Sequence, residues 1–581
     1  MILGRKKHNR NGRITVIIIG YFLFFSLIVW RLFELQIVNK NYYRDIAGKT
    51  HEILMDLAAE RGEIYIKENF GDKENIFPLV INKNFYRLYA APKEIEDAEA
   101  TFEKINSVLK FEKNAEEISL RLKKKNDPYE PIAEKVSPEQ AREIEKLNLA
   151  GMYLLPVKYR FLTEKNFSGQ VLGFVRQNEK ITEGQYGLEG YFDDELSGKQ
   201  GLLKATKDAL GFMLTIGERH LEEPEDGDTV VLTIDRSVQN KSCQEIKAAV
   251  EYYEAKDGTV IVMSPDGALL SMCSWPDFDS ENYNGVDDIN IYNNPAIFYP
   301  YEPGSVFKPI TMAMGLDLGL ITPETKYVDT GSAQVGEFTI HNSDMQAHGE
   351  QTMTQVIEKS LNTGAIFVAD KVGKKNFIRY SEDFGFGQKT GITLDSEMPG
   401  DISNLKKKGP AYVQTASYGQ GIAATPVQLI AAFGAIANDG KLTRPYIVDS
   451  FIKPNGETVK NQPQELRQVI KSSTAHLVQG MMVAAVKSGY SEKAAIAGYS
   501  VAGKTGTAQV ASGEGGYGEN TIHSFIGFAP VDDPAFVMLI KLTYPKKVKH
   551  ASDTIAPIFS EIGGFVLNYY QIAPDEPVKG N

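Results

Sequence analysis

The residues whose types and spacing most suggest chemistry are Ser305 and Lys308, in the stretch YEPGSVFKP at 301–309. A serine hydroxyl is a weak nucleophile until a base takes its proton, and a lysine can be that base only when desolvation or nearby positive charge lowers its pKa from about 10.4 towards neutral. S-x-x-K alone carries little information, because it recurs at Ser107/Lys110, Ser403/Lys406 and Ser450/Lys453. The flanks separate the first from the rest. Pro303-Gly304 stops the incoming segment and an apolar helical pattern follows. Positions i and i+3 share a helix face, so the Lys308 ammonium can reach the Ser305 hydroxyl. Pro309 cannot donate back to the Ser305 carbonyl, a loss tolerated in a first turn and costly further in. The helix N-terminus also favours developing negative charge on the serine oxygen.

Two further motifs can share a site with this pair: Ser360-Leu-Asn362 and Lys504-Thr505-Gly506-Thr507. Each has decoys, at Ser280-Glu-Asn282 for the first and at Lys389-Thr-Gly391 and Lys487-Ser-Gly489 for the second. Ser360 and Asn362 lie in TQVIEKSLNTG, where a helix is expected to give way to a small-residue turn that projects side chains into a cleft. Ser360 is placed to relay protons, and Asn362 to bond a peptide carbonyl or a catalytic side chain. Lys504 supplies a second positive charge beside Lys308. Gly506 removes the side chain that would keep a ligand off the strand backbone. The lysine and threonines attract a carboxylate, and a backbone N–H here can help form an oxyanion hole. Strict alternation nevertheless puts Lys504 and Thr505 on opposite faces of a strand.

The elements that must position these residues follow from periodicity. VFKPITMAMGLDLG, TMTQVIEKSLNTGAIFVADKVG, TPVQLIAAFGAIANDG, STAHLVQGMMVAAVKSG and APIFSEIGGFVLNYY read as helices. GTVIVMSPDGALLSMCSWP reads as a hairpin about Pro265-Asp266-Gly267, and YSVAGKTGTAQV, HSFIGFAPV and AFVMLIKLTY as strands. Strands at both ends of a helical block imply one antiparallel sheet built from distant pieces and covered by helices, an α+β fold. Upstream, Glu94–Leu149 is rich in Glu, Lys and Leu with helical periodicity, and Ser137 before Pro138 is a good N-cap. EEPEDGD at 222–228 looks like a boundary.

The chain of 581 residues, 42% hydrophobic and 24% charged, is globular and long enough for two or three domains. A net charge of −12 with no basic stripe beyond the N-terminus argues against nucleic-acid binding. The only cysteines, Cys243 and Cys273, offer neither a disulfide framework nor metal-ligand spacing. Cys273, in the apolar run ALLSMCSW, is expected to be a free, buried small hydrophobe. Residues 1–13 carry Arg5, Lys6, Lys7, Arg10 and Arg13 and no acid, and the 17 residues from Ile14 to Trp30 carry no charge. That length, the basic flank and the absence of a small-x-small cleavage site predict an uncleaved signal anchor with a cytoplasmic N-terminus.

SVFK, SLN and KTG in this order resemble the active-site triplet of the penicillin-recognising serine acyltransferases. YEPGSVFKP, SLNTG, SYGQGIAATPVQL, VAGKTGTAQ and SFIGFAP, together with RLFELQ, RGEIY and GLEGYFDDELSG, resemble the class B penicillin-binding proteins, monofunctional peptidoglycan transpeptidases, most of all the cell-division type. The resemblance implies a cytoplasmic tail at 1–13, a membrane anchor at 14–31, an elongated α+β pedestal or dimerisation-like module at 32–225 and a transpeptidase domain at 226–581. It implies that Ser305 attacks the penultimate carbonyl of a D-Ala-D-Ala stem peptide with Lys308 as base. Ser360 and Asn362 would assist proton transfer and orient the peptide, Lys504 and Thr505 would hold the terminal carboxylate, and the N–H groups of Ser305 and Thr507 would form the oxyanion hole. β-Lactams would acylate the same serine. No metal or cofactor is implied. The implied partners are stem peptides and a multi-pass membrane glycosyltransferase, with the catalytic domain on the outer face of the plasma membrane. A D,D-carboxypeptidase or β-lactamase-like hydrolase, and a non-catalytic β-lactam sensor or scaffold, are the alternatives. After RGEIY the chain carries IKENFGDKENIFPLVINK where relatives show a compact D-R-N-G turn.

Overall fold

The computed structural model describes residues 10–43, 52–70, 73–111, 114–165, 167–177, 182–206, 219–511 and 517–577. The chain divides into two compact units, Met1–Glu60 with Gly198–Asp226, and Arg61–Ser197 with Gly227–Asn581. In the first, the helix Arg10–Phe33 runs on into a π-helical turn, Glu34–Val38. Ile14–Val38 is a 25-residue, predominantly apolar stretch that contains an 18-residue segment of mean hydropathy 2.3, and its large apolar side chains are exposed. At 1.5 Å per residue it is about 37 Å long, enough for a hydrocarbon core of about 30 Å. It outruns the expected 14–31 because Leu32, Phe33, Ile37 and Val38 prolong the apolar surface. Arg10 and Arg13 lie in this helix, whereas Arg5, Lys6 and Lys7 of the expected tail lie outside the described residues. The strand Gly201–Thr206 pairs with Glu52–Leu57 on one side and His220–Glu222 on the other.

The second unit holds two large sheets. In one, the order is Thr458–Lys460, Val448–Ile452, Thr229–Asp235, Ile64–Phe70, Lys73–Ala90 and Glu130–Val136, with Met152–Leu162 also paired to Lys73–Ala90. Strands from both sides of position 225 therefore share one sheet, and Thr229–Asp235 runs parallel to Ile64–Phe70. From the end of RGEIY onward the chain runs through the antiparallel pair Ile64–Phe70 and Lys73–Ala90 where the resemblance leads one to expect a compact turn. Ser137 caps Pro138–Lys146 in a reciprocal capping box with Gln140.

The other sheet is the expected antiparallel one, in the order Leu269–Trp275, Asp257–Met263, Phe536–Thr543, Tyr517–Ala529, Ala502–Ala511. Alternation decides its packing. Ile261, Val537, Leu539 and Ile526 join the core that contains Lys308–Asp317, Asn362–Asp383 and Pro426–Ala437. Val260, Met538, Ile540 and Phe525 join the core under Arg236–Tyr252 and Ala556–Tyr569. Every residue of Phe536–Thr543 is buried, as a strand covered on both faces requires.

The expectation for the cysteines is overturned. Cys243, on the helix Arg236–Tyr252, is disulfide-bonded to Cys273 on the strand Leu269–Trp275, with Cα atoms 5.4 Å apart. Two cysteines 30 positions apart show no framework in a sequence. The packing of the helix across the strand is what brings them together.

Candidate active site

Ser305 lies in a 3-10 turn, Gly304–Phe307, that runs directly into the helix Lys308–Asp317, with Pro309 in its first turn. Two glycine-dependent approaches hold this turn. Gly304 (φ +59°) donates its N–H to the Gly419 carbonyl at 3.0 Å, and a Cβ on Gly419 (φ +81°) would stand 2.1 Å from the Gly304 carbonyl oxygen. On the other side, a Cβ on Gly506 would stand 2.9 Å from Val306 Cγ1 and 3.1 Å from the Pro303 oxygen. The backbone of the strand Ala502–Ala511 thus lies against the turn that carries the serine.

Lys308 is fully buried. Its Nζ is 3.0 Å from Ser305 Oγ and 3.2 Å from Ser360 Oγ, and donates to the Ser360 carbonyl. Lys504, also buried, donates to Ser360 Oγ at 2.9 Å and to the Thr505 carbonyl at 3.0 Å. Burial pushes the Lys308 amine well below its ordinary range, and the neighbouring positive charge of Lys504 pushes it further the same way. Burial brings Lys504 down to about 7. A neutral Lys308 can give its N–H to the Ser360 carbonyl and keep its lone pair for the Ser305 proton. Ser360 Oγ accepts from Lys504 and from the second Lys308 N–H, so a proton that Lys308 takes from Ser305 can pass on to Ser360. The four side chains form a continuous path along which one proton can shift.

Ser360 stands at a junction. The helix Met353–Glu358 ends, Ser360 takes φ +54°, and a second helix, Asn362–Asp383, begins two residues later. The expected small-residue turn is therefore the first turn of a new helix, whose unpaired N–H groups suit Asn-Thr-Gly. Asn362 is half-buried and donates through Nδ2 to the His341 carbonyl at 2.9 Å.

Ser305, Lys308, Ser360 and Lys504 meet in one hydrogen-bonded cluster, with Gly506 beneath the serine turn. Thr505 and Thr507 are placed differently. The ladder runs without a shift from Ala502↔Phe528 to Gln509↔Thr521. Thr505 consequently shares a face with its partner Phe525, away from Lys504. Thr507 is exposed, and its hydroxyl accepts from the Ala551 N–H at 3.2 Å. Sequence reasoning missed Gly419 and the short strands at 326–352, of which Phe338–His341 meets Asn362 through the His341 carbonyl. The two glycines of SYGQG and the threonine after SLN were the available signals.

The family model described as the penicillin binding protein transpeptidase domain matches residues 258–563, and that of the penicillin-binding protein dimerisation domain matches 56–232. The chain belongs to this transpeptidase family. With the dimerisation domain ahead of the catalytic one, it is a class B penicillin-binding protein. It is 33% identical to stage V sporulation protein D of Bacillus subtilis, over 95% of this chain and 84% of that protein. It is 30% identical to peptidoglycan D,D-transpeptidase FtsI of Buchnera aphidicola, over 98% and 97%. The fold is shared with penicillin-binding protein 3 of Mycobacterium tuberculosis complexed with aztreonam, at a TM-score of 0.69 and 24% identity, covering 90% of this chain and 99% of that one.

Proposed function

We propose that this protein is a peptidoglycan D,D-transpeptidase of septal wall synthesis that works through an acyl-enzyme on Ser305. The observation that carries the reading is the chain of contacts from Ser305 through Lys308 and Ser360 to Lys504. Lys308 takes the Ser305 proton as Oγ bonds to the penultimate D-Ala carbonyl carbon. Charge on the carbonyl oxygen is met by the N–H groups of Ser305 and Thr507. The bond to the terminal D-Ala nitrogen breaks, and that nitrogen receives the proton from Lys308 through Ser360. An amine of a second stem peptide then attacks the ester, gives its proton to Lys308, and Ser305 Oγ leaves and is reprotonated. Lys504 supplies the positive charge that attracts the terminal carboxylate and Gly506 leaves the strand backbone open to it, whereas the Thr505 side chain, expected to share this contact, lies on the opposite face of the strand; Asn362 orients the peptide.

Labelling with a fluorescent penicillin tests this directly. One adduct at Ser305, lost in Ser305→Ala, slowly released and accompanied by dimeric muropeptides from stem peptides, is the expected result. An adduct elsewhere refutes the assignment, and rapid release points to a hydrolase.

The apolar helix at 14–38 supports a single-pass membrane protein, and its catalytic domain is assigned to the outer side. Disulfides persist chiefly in oxidising compartments, and the Cys243–Cys273 bond fits that side. Protease added to intact cells should remove the domain. Survival of the domain would reverse the orientation. A multi-pass glycosyltransferase is the proposed partner, contacting the span and the N-terminal module. Co-purification that persists after an unrelated apolar helix replaces Ile14–Val38 and residues 52–60 are altered would count against it.

A further inference from the structure

Asp329 is 1% exposed and no cation pairs with it among the described residues. A buried carboxylate of this kind is stable only if its oxygens are fully hydrogen-bonded. They are. Oδ1 accepts from the Gly331 N–H at 3.0 Å and the Thr363 hydroxyl at 2.8 Å, and Oδ2 from the His348 N–H at 3.0 Å. The Asn342 amide nitrogen lies 3.0 and 2.9 Å from the two oxygens. The Tyr327 hydroxyl, 3.0 Å from Thr363 Oγ1, completes the relay.

The partners matter more than their number. Thr363 follows Asn362, and Asn342 follows His341, whose carbonyl receives the Asn362 amide N–H. The Thr363 backbone N–H closes the frame on Asn342 Oδ1 at 3.3 Å. Asp329 therefore grips the residues adjoining both ends of the Asn362–His341 hydrogen bond. It draws the strand Phe338–His341 onto the start of the helix Asn362–Asp383. With one Nδ2 hydrogen committed to His341, the Asn362 side chain keeps its second N–H, which donates to a carbonyl, and its carbonyl oxygen, which accepts from an N–H.

We propose that Asp329 is a positioning residue for acyl transfer: through Thr363 and Asn342 it fixes the Asn362 amide against the His341 carbonyl, so that its free N–H and its carbonyl oxygen are held in one orientation towards the stem peptide or the side-chain amide of a penicillin. The inference rests on the transpeptidase reading. Asp329→Asn keeps the shape but substitutes a donor where only donors arrive. A misplacement of the order of 1 Å in an orienting group costs about 100-fold, and acylation by a fluorescent penicillin should slow by roughly 10- to 100-fold.

The test is a double-mutant cycle on the full-length protein in detergent, with Asn362→Ala as the second change. If Asp329 acts through Asn362, Asp329→Asn slows acylation in the wild-type background and has little further effect once Asn362 is alanine. Equal slowing in both backgrounds overturns the proposal, as does a wild-type rate in Asp329→Asn. Thr363→Val and Thr363→Ser give an independent arm without a change at the buried carboxylate. The valine should reproduce the loss and the serine restore the rate, and a valine variant as fast as wild type overturns the proposal. A wild-type chain that takes no penicillin on Ser305 overturns the transpeptidase reading and this inference together, whereas a normal wild-type adduct with unaffected variants removes only the role of Asp329.

Discussion

Two buried amines share one serine hydroxyl, and the consequence is a defined pH dependence. Lys308 has a folded pKa well below 10.5, set first by burial and then by Lys504. A group lowered on folding is less protonated in the native state, so its contribution to stability grows as pH rises from the folded towards the unfolded value. As the proposed catalytic base it works only when neutral. Penicillin acylation should therefore rise with pH through the folded pKa of Lys308 and level off well below 10.5. Lys308→Arg, which stays charged, should lose the rise and roughly 10²–10⁴-fold in rate. A profile that keeps rising to pH 10 would exclude Lys308 as the base. Residue types and flanks made Ser305, Lys308, Ser360 and Lys504 legible in the sequence. The face on which Thr505 lies was foreseen from alternation alone. Asp329 was not legible, since nothing marks a carboxylate in KYVDTG as buried until the chain folds over it.

Elements with strong periodicity and clear ends were readable: Pro426–Ala437 starts at Thr425, whose capping box with Gln428 is visible as T-x-x-Q. The short pairs Lys326–Asp329 with Gly349–Thr352 and Ser332–Val335 with Phe338–His341 were not, because four-residue polar strands carry almost no pattern. Close backbone packing was equally hidden. The turn at Gly304 and the segment at Gly419 meet with no room for a methyl group, and Gly419 has a left-handed φ as well. Gly419→Ala should displace the Ser305 turn and cost about 1–3 kcal/mol from the backbone conformation alone. Chemical denaturation measures the loss, and penicillin acylation should slow with it. A variant of unchanged stability and rate would show that the cradle yields without harm.

At the scale of the whole molecule, the sequence suggests a division near 225, and the two family models match 56–232 and 258–563. The hydrogen-bonded sheet follows another rule. Ile64–Phe70 pairs with Thr229–Asp235, which in turn pairs with Val448–Ile452. A fragment spanning 61–197 therefore leaves an open edge on Ile64–Phe70, a template for unwanted strand pairing. Such a fragment should aggregate when expressed alone, while the chain from Arg61 to the C-terminus stays monodisperse in size-exclusion chromatography. A soluble, monomeric 61–197 fragment would show that the edge protects itself.

That strand order also bears on how the protein is made. Strands Ile64–Phe70 and Lys73–Ala90 leave the ribosome early, but Thr229–Asp235, which covers the open edge of Ile64–Phe70, is translated about 160 residues later, and Val448–Ile452 later still. The early module must wait for it with its edge unpaired. Synthesis at about 5–20 residues per second makes that wait roughly ten to thirty seconds. Helper proteins that shield open strand edges would thus act on the N-terminal portion of the nascent chain, before any catalytic residue has been translated.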